Sequence, residues 1–346
     1  MQHIGFHKSL ANQADNLELT LASVRAALAQ PELPQWEESD RIVVVAMGAS
    51  TNAGDALVAA LRARGITAVN ANAADIAHAP AGYLSGAQFV LVSESGRSPE
   101  PLAAAERLPS GRRIAITNDP GAPLAGAVDA VLPLGGWDDS RVYTTGFTAT
   151  LLTFALLLRH QFGSDVAPDP ATGVQLVREL TERRVPEVKR AAAILGSAGA
   201  LDVVGSGLSL SAAAEGALMV REGARLHATA YDTYQYIHGP MESLNRQSGL
   251  VILGDGRELG VVDMTLEREV PTVLLTCADP AGLPREADSR GVVLSLPENA
   301  RGLNRTVAET VLLQQLVGEL TANLGLDIDE FLYNQPDTKV AKSEVP

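Results

Sequence analysis

Gln88-Phe-Val-Leu-Val92 leads directly into Ser93-Glu-Ser-Gly-Arg-Ser-Pro-Glu100, and Pro101-Leu-Ala-Ala-Ala-Glu106 follows. The first stretch is an apolar strand and the last reads as a helix. Between them lies a short, hydroxyl-rich turn with one glycine. Strand, turn and helix in that order make an anion cradle. Free backbone N–H groups and the positive end of the helix dipole converge there, and Ser93, Ser95 and Ser98 add hydroxyl donors. Ser98 suits the N-cap, Pro99 the first helical position and Glu100 the first turn. The expectation that anchors the rest is a small, negatively charged group bound at residues 93–98.

Outward from this turn, short β-branched runs alternate with alanine- and leucine-rich stretches at helical spacing. That is the pattern of an α/β protein with doubly wound, three-layer parallel sheets. In the first half the expected strands are Arg41–Ala46, Thr67–Asn70, Phe89–Val92, Arg113–Thr117 and Ala130–Leu134. Helices are expected at Asn52–Arg64, Pro99–Leu108 and Pro123–Val128, with a long, mostly buried one at Thr145–His160. Val166–Gly173, with two prolines and a glycine, reads as a linker.

The second half repeats the scheme. A long helix is expected at Val174–Leu195, kinked at Pro186, then a strand at Leu201–Val204 and a helix at Leu210–Glu222. Strands at Leu250–Leu253, Thr272–Leu275 and Val292–Leu294 and a helix at Val307–Leu324 complete it. The domain reading is an N-terminal helical segment at 1–34, one domain at 35–165, a second at 174–330, and a tail at 331–346 that reaches the active site. Val45-Ala-Met-Gly-Ala-Ser50 resembles Val203-Val-Gly-Ser-Gly-Leu208, a weak internal duplication. The second copy of the anion turn is missing: after Val251-Ile-Leu253 stands Gly254-Asp-Gly-Arg-Glu258, without serine or threonine. One half is expected to bind the anion and the other to do something else.

The chain has 346 residues, 46% hydrophobic and 20% charged, enough for two domains, each expected to hold its own core. A net charge of −14 argues against nucleic acid or an anionic membrane as the main partner. An anionic ligand must then be held by local donors. The single cysteine, Cys277, rules out an internal disulfide and is expected in a buried strand. The apolar run near Leu151–Leu158 is too short to span a bilayer, and the first residues lack the pattern of a signal peptide. A cytoplasmic protein is the expectation.

Gly48-Ala-Ser50-Thr51 sits at the end of the first strand and ahead of a helix, so it can face the same crevice as the Ser93 turn. It is equally an ordinary glycine turn with an N-cap serine. The densest segment runs from Glu215-Gly-Ala-Leu-Met-Val-Arg-Glu222 through Arg225-Leu-His-Ala-Thr-Ala-Tyr231 to Ile237-His-Gly-Pro-Met241. On a helix, Glu215 and Glu222 share a face with apolar neighbours, and a carboxylate part-buried there could shuttle a proton. The alternative for Glu222 is a salt bridge with Arg225; for His238, a structural role in a glycine-proline turn; for His227, a core or surface histidine. The histidines show no paired spacing for a metal, and none is expected. The tail, Tyr333-Asn-Gln-Pro-Asp-Thr-Lys-Val-Ala-Lys-Ser-Glu-Val-Pro346, reads as a frayed terminus or as a segment that delivers a lysine over a site.

The order of these pieces resembles the sugar isomerase (SIS) family with two tandem domains, in particular the isomerase half of glutamine–fructose-6-phosphate aminotransferase and its single-function relatives. The stretch from Glu215 to Glu222, His227-Ala, Ala230-Tyr231 and His238-Gly-Pro240 is similar to that family's most characteristic run. Ser93-x-Ser-Gly-x-Ser98 resembles its phosphate loop, and Ala115-Ile-Thr-Asn118 its next strand. The resemblance implies that Ser50, Ser93, Ser95 and Ser98 hold the sugar's anionic group, with Glu94 and Arg97 in the same loop. It implies that Val142 and Thr144 line the sugar and that Glu222 moves a proton between C1 and C2 through an enediol. His238 would help open the ring from a neighbouring subunit of a homodimer. Lys342, beside Ala341, falls where the family's tail lysine works. No cofactor is implied.

The departures are specific. The residues read here include no glutaminase domain and no N-terminal catalytic cysteine, so release of ammonia from glutamine is not expected. Met219 stands in place of a lysine common in the aminotransferase, and the spacing from Gln335 to Lys342 is one residue longer. Glu94 replaces a neutral glutamine inside the anion loop. A carboxylate a few ångströms from a dianion costs on the order of 1 kcal/mol or more. Arg97 offsets it, or Glu94 points away, or the ligand's anion is a singly charged sulfonate. The functional expectation is an aldose–ketose isomerase of an anionic hexose, most simply a 6-phosphosugar. The alternatives are a glucosamine-6-phosphate type deaminase, an isomerase of a sulfonated hexose, and a non-catalytic phosphosugar-binding regulator. A nucleotide-binding α/β protein fails for want of a P-loop or a G-x-G-x-x-G after a strand.

Overall fold

The computed structural model describes residues 3–80, 82–182, 186–279, 290–333 and 335–340. After α1 (Phe6–Leu28) come β1 (Ile42–Ala46), α2 (Ala49–Arg62), β2 (Ala68–Asn72), α3 (Ala73–His78), β3 (Gln88–Val92) and α4 (Pro99–Arg107). β4 (Arg113–Thr117), α5 (Pro123–Gly126), β5 (Ala130–Pro133) and α6 (Thr145–Phe162) complete the first half. The second half runs α7 (Pro170–Glu182), α8 (Pro186–Leu195), β6 (Ala200–Gly205), α9 (Leu208–Met219), β7 (His227–Asp232) and α10 (Thr233–Tyr236). It ends with β8 (Ser248–Leu253), α11 (Arg257–Glu267), β9 (Thr272–Thr276), β10 (Gly291–Ser295) and α12 (Gly302–Asn323).

Two five-stranded sheets result, in the orders β2-β1-β3-β4-β5 and β10-β9-β8-β6-β7. Every pairing is parallel, and the two orders are the same once the second is read from β7. The direction of winding reverses between β1 and β3 in one sheet and between β6 and β8 in the other. Crevices at such switch points, beyond the carboxyl ends of the strands, are where open α/β sheets take ligands. The turns leaving β1 and β6 also match: Gly48 (φ 55°, ψ −134°) and Gly207 (φ 57°, ψ −123°) take the same left-handed conformation ahead of their helices.

The strands are buried on both faces, which is why they read as continuous apolar runs. Alternation then divides their side chains between cores. Ile42, Val44 and Ala46 of β1 join a core that also takes in Leu201 and Val203 of β6 and Val251 of β8, with α1, α2, α6, α7, α9 and α12. Val43 and Val45 face a smaller cluster under α3, α4 and α5, and Leu250 and Ile252 one under α10 and α11. The expectation of a separate core in each half is corrected: the inner faces of both sheets share one. Within it, Gln13 of α1 donates to Gln314 of α12 (3.1 Å), Thr148 Oγ1 (2.9 Å) and Thr144 O (3.2 Å), and Gln314 donates to Thr144 O (3.0 Å). These bonds fix the start of α6, because an unpaired buried polar group costs about 1–3 kcal/mol.

Other expectations change. The helix expected at 174–195 is described on either side of residues 183–185 as α7 and α8; it begins at Pro170, so the linker ends there, and the expected kink at Pro186 adjoins residues outside the described set. β7, an edge strand, takes up His227–Asp232. α9 stops at Met219, and Glu222 rides on a π-helical turn over Val220–Ala224. Cys277 is half-buried just beyond β9 rather than inside a strand. Among the described residues no helix is long and apolar enough to cross a membrane.

Candidate active site

The loop after β3 continues the strand ladder for one residue, with Ser93 N donating to Ile116 O (3.1 Å), and then turns as Gly96 N donates to Ser93 O (2.9 Å). Gly96 has φ 61°, and a Cβ there would lie 2.6 Å from Ala122 Cβ and 2.8 Å from Thr117 Oγ1. Both facts demand glycine. Ser98 takes the N-cap position of α4 but makes no side-chain capping bond; its hydroxyl lies 3.4 Å from Ser93 Oγ. Ser95 Oγ accepts from Arg97 N (3.3 Å). The hydroxyl protons of the three serines are therefore not consumed by strong internal acceptors. Ser50, in the first turn of α2 across the switch point, is half-buried, with no hydrogen-bond partner for its hydroxyl among the described residues.

Arg97 does not offset Glu94. Its guanidinium pairs with Asp119 (3.1 Å), and its Nη1 is buried without a partner among the described residues. Glu94 is only 7% exposed and turns inward, beneath the start of α6, where its Cγ is 3.3 Å from the point a Cβ on Gly146 would occupy. Asn118 donates to its Oε1 (3.2 Å). Burial, then the neighbouring Asp139, pushes its pKa up to about 7, opposed by Asn118, Lys339 and Tyr143. The carboxyl of this loop is thus largely protonated below neutral pH and about half ionised near pH 7.

Val142 and Thr144 are fully buried. Thr144 Oγ1 is bonded to Asp139 (2.7 Å) and Ser9 (2.7 Å), so its side chain builds the wall rather than facing an open space. Asp139 also accepts from Ser140 N (2.8 Å) and Gly146 N (2.7 Å) and holds the amino end of α6. Between them, half-buried Tyr143 is the residue whose hydroxyl is within reach of other groups. Lys339 Nζ lies 3.5 Å from it, and its pKa is raised well above the ordinary value by burial and by Glu94, Asp139 and Glu222. One phenol is therefore within electrostatic reach of both the anion loop and Glu222.

Glu222 has its pKa pushed up to about 7 by burial, with Arg221 opposing. Arg225 pairs with Glu330 (2.9 Å) instead, so the Glu222–Arg225 salt bridge is not formed. Glu215, 1% exposed, accepts from Asn52 Nδ2 (3.0 Å) and is pushed up to about 8, mainly by burial, with Glu222 adding to it. Ser211 Oγ donates to Asn52 O (2.6 Å). Asn52 lies two residues beyond Ser50, so α2 of the first half and α9 of the second are stitched together beside both groups.

His238 is exposed beyond α10, its N–H donating to Gln235 O (3.1 Å), and no hydrogen bond or ion pair joins it to Glu222 or to the loop. Ala341 and Lys342 lie outside the described residues. The described part of the tail does meet the loop: Val340 N donates to Arg97 O (2.9 Å), and Lys339 approaches Tyr143. Asp139, Tyr143 and Lys339 are contributors that sequence reasoning did not name. Tyr143 stood between two residues that were named, and Asp138-Asp-Ser140 ahead of a helix carried a capping signal. Among the described residues no cluster of three His, Cys, Asp or Glu side chains could hold a metal ion.

Two doubly wound parallel sheets of one strand order, with a hydroxyl-rich turn at the first switch point, define an α/β protein of the sugar isomerase (SIS) fold. No family model matches the chain. Its homologues are the isomerase (SIS) regions of glutamine–fructose-6-phosphate aminotransferases. One, from Pyrobaculum aerophilum, is 28% identical over 243 residues, covering 68% of this chain and 40% of that protein. The chain thus spans about two-fifths of that relative's length. Among solved structures, the C-terminal domain of glucosamine-fructose-6-phosphate aminotransferase from Francisella tularensis matches with TM-score 0.79 and 20% identity, over 95% of this chain and 98% of that one. Tagatose-6-phosphate ketose/aldose isomerase from Escherichia coli matches with TM-score 0.72 and 18% identity, over 93% of each chain.

Proposed function

We propose that the chain is a sugar-phosphate isomerase. It takes an anionic hexose, most simply a 6-phosphosugar, and interconverts aldose and ketose, with loss of ammonia where C2 carries an amine. One observation carries this reading. Tyr143 lies within electrostatic reach of both Glu94 in the hydroxyl-rich turn and Glu222, a carboxyl whose pKa near 7 suits proton transfer at neutral pH, and this supports the reading that they serve one site. The phosphate is held by Ser50, Ser93, Ser95 and Ser98, loop N–H groups and Arg97 Nη1. Glu94, turned inward with its pKa pushed up to about 7, adds less opposing charge than a free carboxylate would, which favours a phosphate over a singly charged sulfonate.

In the mechanism, the open-chain aldose gives its C2 proton to the Glu222 carboxylate, leaving an enediolate with its negative charge on O1. The O2 proton passes to O1, and Glu222 returns its proton to C1 to give the ketose. Tyr143, a neutral phenol within reach of Glu94, Lys339 and Glu222, contributes a dipole beside the reacting oxygens. His238 of a second copy opens the ring and Lys342 closes over the site, as in the resemblance; a homodimer is part of the proposal. The test is NMR in D2O with a panel of hexose 6-phosphates, 6-sulfonates and free hexoses, with ammonia assayed in parallel. At least one hexose 6-phosphate is expected to lose its C2 proton signal while the free hexose keeps it. Absence of both ketose formation and exchange at C2 in every phosphosugar at saturating concentration removes the catalytic reading.

A further inference from the structure

The second crevice is built like the first. β6 and β8 flank it as β1 and β3 flank the other, Gly207 repeats the conformation of Gly48, and Ser209 occupies the place in α9 that Ser50 has in α2. Its donors, however, are taken by the chain's own carboxylates. Glu258, 4% exposed, accepts through Oε1 from Thr233 Oγ1 (2.6 Å) and Ser206 Oγ (3.1 Å), and through Oε2 from Gly256 N (3.2 Å). Ser209 Oγ donates to buried Glu309 (2.8 Å), which Arg305 Nε also engages (2.8 Å).

Backbone geometry explains how the carboxylate gets there. Only Gly254, Asp255 and Gly256 separate β8 from α11, whereas residues 93–98 separate β3 from α4. The shorter loop brings the first turn of α11 against the crevice, where the helix dipole favours an anion. Gly254 has φ 155°, and a Cβ on it would sit 2.4 Å from Glu258 Cδ. The missing side chain is what admits the glutamate.

We propose that Glu258 is a resident anion: its carboxylate fills the second crevice at the place where the first would take the ligand's anion, closing that half to external anions. This rests on the proposed function only for what the first crevice binds. Through Thr233, the first residue of α10, the same carboxylate anchors the segment that leads to His238.

The experiment counts inorganic phosphate bound per full-length chain at saturation, by equilibrium dialysis, for the wild type, Glu258→Ala and Glu258→Gln. The expected counts are one, two and one, because alanine vacates the crevice and glutamine still fills it. A count of one for Glu258→Ala overturns the proposal. A count of none for the wild type with one for Glu258→Ala overturns the anion site of the proposed function and leaves the resident anion standing. If Glu258→Ala is only partly folded, its thermal midpoint with and without phosphate is the readout. A rise larger than that of wild type and Glu258→Gln supports the proposal, and an equal or smaller rise overturns it.

Discussion

Replacing Glu94 by glutamine tests the claim that the anion loop carries a neutralised carboxyl. The folded chain raises this group from an ordinary value of 4.5 to about 7. Such a gap corresponds to a linkage free energy of about 3 kcal/mol. Its sign is fixed: between pH 4.5 and 7 the folded state holds a proton that the unfolded state has released, so stability falls as pH rises through that window. Above about pH 7 the whole cost is present, and because Glu94 is 7% exposed, solvent screening removes little of it. Glutamine keeps the shape and the contact with Asn118 but cannot ionise. Glu94→Gln is therefore expected to match wild type at pH 4.5 and to exceed it by about 2–3 kcal/mol at pH 8. For a chain of this length that is a gain of about 4 °C in Tm. Urea and thermal denaturation of both proteins at the two pH values measure it, and the difference between them isolates Glu94 from Glu215 and Glu222. A stability difference that does not change with pH would refute the reasoning.

Gly96→Ala places a Cβ 2.6 Å from Ala122 Cβ at a left-handed φ, so a loss of about 1–3 kcal/mol in stability and weaker phosphate binding are expected, read by denaturation and phosphate titration. Deleting residues 335–346 removes the Val340–Arg97 bond and Lys339 beside Tyr143. Turnover should fall at least tenfold while circular dichroism stays unchanged, and unaltered turnover would remove the tail from the site. Arg225→Ala breaks a pair with exposed Glu330, so its effect on stability should stay below about 1 kcal/mol, checked by urea denaturation.

The strands that flank the hydroxyl-rich turn are legible because burial on both faces writes them as unbroken apolar runs; Arg113–Thr117 falls on its expected bounds and Gln88–Val92 within one residue. β7 is not legible: at the sheet edge, His227–Asp232 is only partly buried and mixes polar with small residues. The shared core escapes a sequence reading because periodicity tells which face of a helix is apolar, not which sheet it meets. At the site, the hydroxyls announce themselves by type and spacing. The inward turn of Glu94, the pairing of Arg97 with Asp119 and the filling of the second crevice by Glu258 depend on side-chain direction, which spacing does not contain.

Glu222→Gln most directly tests the central claim that one half grips the anion while a carboxylate of the other moves the proton. With the phosphosugar found to exchange at C2, the variant is compared with wild type for sugar binding by calorimetry and for exchange by NMR. The account predicts binding within about threefold and exchange slowed by at least a thousandfold, in line with the loss of a general base and its electrostatic role. Exchange at the wild-type rate with the glutamine in place would contradict it.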